Sequence, residues 1–169
     1  MGKKTPEEFL EEARKMIGQE TETKTAAYPV EYESLRRYCM MVDDTNPLFT
    51  SPEYAKETKY GEVISPPFAP FGIMPGDQSA FKIIPERPGP FLINMSQDWE
   101  WMKPIKVGDR LSYKLRLADV FMKKISIDPK AFWIVFETEF TNQNGETVCV
   151  LKNTLLSHRA PDEAGKDGE

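Results

Sequence analysis

The 169-residue sequence sets 22 lysines and arginines against 27 aspartates and glutamates, for a net charge of −5 at pH 7. Its cations are dispersed, so it lacks the concentrated positive charge that nucleic-acid phosphates demand, and nucleic acid is excluded as a partner. A hydrophobic fraction of 40% suits one globular domain with a single core, while the absence of a signal peptide or a bilayer-length apolar run predicts a cytoplasmic protein and no membrane partner.

The first helix is announced by Thr5, Pro6 and Glu8, a T-x-x-E capping box with proline at the first helical position. Phe9, Leu10, Ala13, Met16 and Ile17 give it an apolar stripe, and Gly18 stops it. A short strand is expected over 20–25. Leu35, Tyr38, Cys39 and Val42, at i, i+3, i+4 and i+7, predict a second helix over 31–42. It runs into "DDTNPLFT" (43–50), where Asn46 before Pro47 favours a turn. Ser51 and Pro52 then open a brief helix as N-cap and first residue. "YGEVISPPF" leads into "FAPFGIM", a segment with no polar face and therefore buried all round.

Beyond residue 90 the period changes to two. Phe91, Ile93, Met95, Trp99 and Trp101 are predicted to share one face of a strand. In the next strand Leu111, Tyr113, Leu115 and Leu117 point inward. "AFWIVFETEF" follows, Asn144–Gly145 signals a hairpin, and a last strand ends near Arg159. The polar residues 160–169 read as a disordered tail, leaving 1–159 as one domain. Helices first and long antiparallel strands last make an α+β chain. An antiparallel sheet of long, strongly curved strands wrapped around an apolar helix is the hot-dog architecture, here with additional N-terminal helices.

"YCMMVDDTNPLF", "YGEVISPPF" and "WMKPIKVGDRL" together resemble the MaoC-like enoyl-CoA hydratases and 3-hydroxyacyl dehydratases, in particular their N-terminal-domain, FAS1-like dehydratase subgroup. The resemblance covers roughly residues 15–159. It implies lyase chemistry of fatty acid metabolism, in which water is added to a trans-2-enoyl thioester of coenzyme A or acyl carrier protein, or removed from a 3-hydroxyacyl one. Coenzyme A enters as part of the substrate, and no separate cofactor is implied. Such chemistry needs a base, an acid and an oxyanion donor. Catalytic members supply aspartate and histidine from a D-x-N-P-[LI]-H loop.

On that pattern Asp44 and Asn46 take the catalytic-loop positions, and Phe49 stands where the histidine belongs. Tyr60, Gly61, Pro66, Pro67, Phe68 and Gly72 take substrate-wall positions. Pro66 and Pro67 carry no N–H, which removes one oxyanion donor and leaves Phe68 and Ala69 as the nearest. The resemblance therefore implies a degenerate half that pairs, as homodimer or heterodimer, with a catalytic MaoC-type subunit. A thioesterase using Asp44 alone and an acyl-CoA-binding module without turnover are the alternatives.

Each site residue also has a plainer role. Asp43, Asp44 and Asn46 can serve as turn-formers, and the aromatics as core. Lys103, Lys106 and Arg110 flank a turn, where they either meet coenzyme A phosphates or stay solvated. The lone His158 reads as a surface group at the frayed end of a strand, and Cys39 and Cys149 as small buried hydrophobes; with one histidine no His/Cys metal site is expected.

Overall fold

The computed structural model describes residues 4–67 and 78–165. The N-terminal half is helical: α1 (Pro6–Lys15), α2 (Tyr32–Met41), α3 (Pro47–Thr50) and α4 (Pro52–Lys56), with a two-residue strand β1 (Lys24–Thr25) between the first two. A 3-10 turn, Gln78–Lys82, precedes β2 (Phe91–Trp101), β3 (Ser112–Met122), β4 (Phe132–Thr141) and β5 (Thr147–His158). The strands form one antiparallel sheet in the order β1-β3-β4-β5-β2, which places β2 at an edge. This is the α+β arrangement expected. The apolar segment 68–74 expected at the centre of the sheet falls in residues 68–77, outside the described residues.

Local chemistry explains the helices. Thr5 accepts from the Glu8 N–H while the Glu8 carboxylate accepts from the Thr5 N–H, so both halves of the capping box are present. Phe9 and Ala13 are fully buried, and Phe9 meets Phe132 of β4 edge to face at 4.7 Å between ring centres. Ile17 departs from the expected stripe and is exposed, because α1 ends at Lys15 and the chain turns away at Gly18. There the Gly18 N–H donates to Leu117 O and the chain runs alongside β3. The strand expected over 20–25 is broken: a bridge at Glu20–Arg116 and the Lys24–Thr25 pair differ in register by one residue. Between them the Thr21 hydroxyl accepts from the Leu115 N–H.

In β3 and at Leu111 just before it, the inward set Leu111, Tyr113, Leu115 and Leu117 is buried as the alternation requires. A register shift between Leu117 and Asp119 then turns Val120 inward as well. The β4–β5 hairpin closes at Asn142–Gly145, where the Gly145 N–H donates to Asn142 O and Gly145 takes φ 74°, a value only glycine adopts freely.

The face assignment for β2 needs correction. A bulge between Asn94 and Ser96 inserts one residue opposite β5. Phe91 and Ile93 lie opposite His158 and Leu156 on the outer face, whereas Trp99 and Trp101 lie opposite Leu151 and Cys149 on the core face. One inserted residue reverses the side of everything after it.

His158 is also corrected. It is buried, its ring stacks on Phe91 at 4.8 Å, and its Nδ1 lies 2.8 Å from Arg159 O. The strand end does not fray because Asp128, fully buried, binds Arg159 through both the backbone N–H (2.8 Å) and the guanidinium (2.6 Å). Within the stretch read as a disordered tail, Pro161–Ala164 makes a helical turn, α5, with Ala164 buried. Cys39 and Cys149 are buried free thiols, and burial pushes Cys149 up to about 12.

Candidate functional site

The loop after α2 is built by backbone capping. Asp43 takes φ 55°, and the next residue, Asp44, donates its N–H back to Cys39 O at 2.8 Å, the six-residue closure that ends a helix. The Asp44 Oδ1 then accepts from the Asn46 N–H, and the Asn46 Oδ1 accepts from the Leu48 N–H, both at 3.0 Å. Asn46 is thus the N-cap of α3, with Pro47 at its first position. Both residues expected to be catalytic are engaged with their own main chain.

A cleft of about 350 Å³ lies beside this loop. Leu48, Phe49, Tyr60, Ile64 and Pro67 line it, together with Trp101 at the end of β2 and Met102 and Pro104 just beyond it. Asp44 and Asn46 are not among its lining residues. Phe49 is, which puts a phenyl ring on the wall at the position matched to histidine. The lining contains neither carboxylate nor imidazole; its titratable side chains are Tyr60 and Lys103, and Lys103 is paired with Glu146. Among its described residues the cleft is therefore a mostly apolar groove without the carboxylate–imidazole pair that the reaction uses.

The other expected wall residues separate. Gly61 lines a neighbouring cleft of about 230 Å³ with Tyr32, Lys56 and Val107. Pro66 is fully buried in the interior. Phe68 and Gly72, with the possible donor Ala69, lie outside the described residues. Of the three cations weighed for phosphate, Lys106 is 2.7 Å from Glu62, and Arg110 donates to Ala26 O and Ala27 O at 3.3 and 3.4 Å. With Lys103 on Glu146, all three have partners within the chain. Trp99 stacks between Trp101 and Phe140, at 5.4 and 5.8 Å, so the aromatic set spans core and cleft. Met102 and Pro104, both in the quoted "WMKPI", were the wall residues that the motif carried without being singled out. Among the described residues no three His, Cys, Asp or Glu side chains gather to hold a metal, and no helix is long and apolar enough to cross a membrane.

The profile of the FAS1-like, dehydratase domain region matches residues 15–151. A UPF0336 protein from Saccharopolyspora erythraea is 31% identical over 149 residues, which span 85% of this chain and 90% of that protein. Among solved structures, a chain of the ChsH1–ChsH2 complex from Mycobacterium tuberculosis superposes with a TM-score of 0.76 at 12% identity, over 91% of this chain and 98% of that one. A chain of the C-terminally truncated HadBC (3R-hydroxyacyl-ACP dehydratase) complex from Mycobacterium tuberculosis gives 0.63 at 20% identity, over 80% and 95%. At these identities the structural likenesses speak to fold, and the fold is the hot dog expected from the sequence.

Proposed function

The chain belongs to the FAS1-like dehydratase region family, within the MaoC-like hot-dog dehydratases, and on that premise we propose that it is the half of an enoyl-thioester hydratase that shapes the acyl site without performing proton transfer. The observation that carries this reading is the cleft wall, where Phe49 occupies the histidine position while the Asp44 carboxylate is held in the turn that caps α3. Hydration puts hydroxide on the β carbon and a proton on the α carbon of the enoyl thioester, so a base and an acid must reach those two atoms. Phenylalanine can be neither. A partner MaoC-type chain with an intact D-x-N-P-x-H loop supplies both in this scheme.

This chain's contribution is then an apolar wall. Phe49, Ile64, Trp101 and Met102 enclose the acyl group and exclude water from the thioester, which strengthens the polar interactions the partner provides. Two of the structural likenesses are chains of two-component assemblies, which supports a heteromeric setting. The thioesterase alternative is disfavoured by Pro66 and Pro67, which offer no backbone donor to a thioester oxyanion.

The test is hydration of crotonyl-CoA by the purified chain, by a MaoC-type chain carrying D-x-N-P-x-H, and by the two together. The expected result is background turnover for this chain alone and activity in the mixture that disappears when the partner's loop histidine is replaced. Turnover at ordinary enzymatic rates by this chain alone overturns the reading. Saturable acyl-CoA binding without product in every combination favours a binding module.

A further inference from the structure

We propose that a second cavity, between the segment 81–90 and the start of α5, binds a small organic carboxylate with an apolar body, anchored by the Arg87 guanidinium. The cavity is about 490 Å³, and its walls include Phe81, Ile84 and Pro88, with the carboxylates of Glu86, Asp162 and Glu163 at its lining. It lies where β2 begins, ten residues along the strand from Trp101 of the acyl cleft, or roughly 30 Å at about 3.3 Å per residue. The proposal therefore stands independently of the thioester reading.

Arg87 carries the argument. Its Nη1 donates to Phe91 O and to Ser157 Oγ, each at 3.3 Å, and its guanidinium lies over the Phe81 ring at 5.7 Å. No carboxylate closes on it among the described residues, and its Nε and Nη2 donors meet no acceptor there. Several other arginines meet a carboxylate: Arg159 pairs with Asp128, Arg116 with Glu137, Arg36 with Glu33. Burial lowers the Arg87 pKa, the mark of a cation removed from water without a counter-charge. An uncompensated, half-dry guanidinium is costly, and an anion relieves that cost.

The setting is rigid. Gly89 packs so closely that a Cβ there would fall 2.2 Å from His158 O, and three prolines in "PERPGP" fix the backbone around Arg87. The open Nε/Nη2 edge matches a carboxylate in two parallel hydrogen bonds. Glu86, Asp162 and Glu163 oppose a second negative charge, so a monoanion is preferred over phosphate. Phe81, Ile84 and Pro88 accept an alkyl or ring body, and the volume lies within the range of small-molecule sites.

Calorimetric titration of the full chain with octanoate tests this, with octanol and inorganic phosphate as comparisons. Octanoate is expected to bind saturably at one site, octanol and phosphate at least about tenfold more weakly, and Arg87→Gln to lose about tenfold or more in octanoate affinity. Unchanged affinity in Arg87→Gln, no saturable binding of octanoate, or tighter binding of phosphate overturns the proposal. Should Arg87→Gln fail to fold, Glu86→Gln/Asp162→Asn decides: removing two of the three opposing charges is expected to tighten octanoate several-fold, and no change refutes the assignment.

Discussion

Phe49 and Asp44 show why replacing one residue does not rebuild a reaction centre. Phe49→His restores the matched residue type and places an imidazole at the cleft, yet Asp44 stays outside the lining with its Oδ1 on the Asn46 N–H. The variant alone is therefore expected to hydrate crotonyl-CoA at least about 10²-fold more slowly than a complete acid–base pair would allow, as read from the loss of enoyl-thioester absorbance. Its neighbour Asp43 offers a stability test. At φ 55° a side chain crowds the backbone, and the position closes α2 as glycine usually does. Asp43→Gly is expected to raise the unfolding free energy by roughly 0.5–1 kcal/mol in urea titrations, and a decrease would contradict the backbone account.

Between elements, the buried Asp128–Arg159 pair ties the β3–β4 connection to the end of β5. Burial raises the Asp128 pKa, but hydrogen bonds from the Arg159 side chain and backbone and from the Lys130 N–H outweigh it, and the pKa falls below the usual aspartate value. A depressed folded-state pKa stabilises fully above the unfolded value of about 3.9, and that stability is lost as pH falls through the lower folded value. Acid unfolding of the wild type should thus show a component below pH ~4 that Asp128→Asn lacks. At neutral pH, Asp128→Ala should cost about 3–5 kcal/mol, because it removes the carboxylate that the buried Arg159 guanidinium and backbone N–H both bond. Phe9→Ala should cost a similar 3–5 kcal/mol, through the cavity left against Phe132.

Elements set by their own sequence were legible in it: the α1 capping box, the stripe of α2 and the alternation of β3 each depend on residues a few positions apart. The outer placement of Phe91 and Ile93 was not, because the bulge at Met95 exists only in the pairing with Leu155 and Thr154 some 60 residues later. His158 was misplaced for the same reason, since Phe91 stacks on it from β2 and Asp128, in the β3–β4 connection, anchors the next residue, Arg159. At the cleft, motif position brought Phe49, Tyr60 and Pro67 onto one wall. It could not distinguish a catalytic aspartate from a turn-former, because D-x-N serves both chemistries.

At the scale of the molecule, the two thiols report on the fold as a unit. Cys39 lies on the buried face of α2 and Cys149 in β5, both almost fully buried, and burial raises the pKa of each, for Cys39 with the Asp44 charge adding to it. Labelling by a disulfide reagent is expected to require opening of the core, slowing by about 10³-fold or more relative to the unfolded chain, with both sites reacting together in a two-state transition. Fast labelling of Cys39 alone would mean that α2 opens separately from the sheet.

The kink at Met95 has one more effect. Among the described residues no strand flanks β2 on its far side, and its free backbone groups do not follow an even ladder, because the extra residue interrupts their spacing midway. A straight, featureless segment can therefore zip along only half of that margin before its side chains fall out of step. The irregularity thereby discourages indiscriminate fibril-like stacking along that margin.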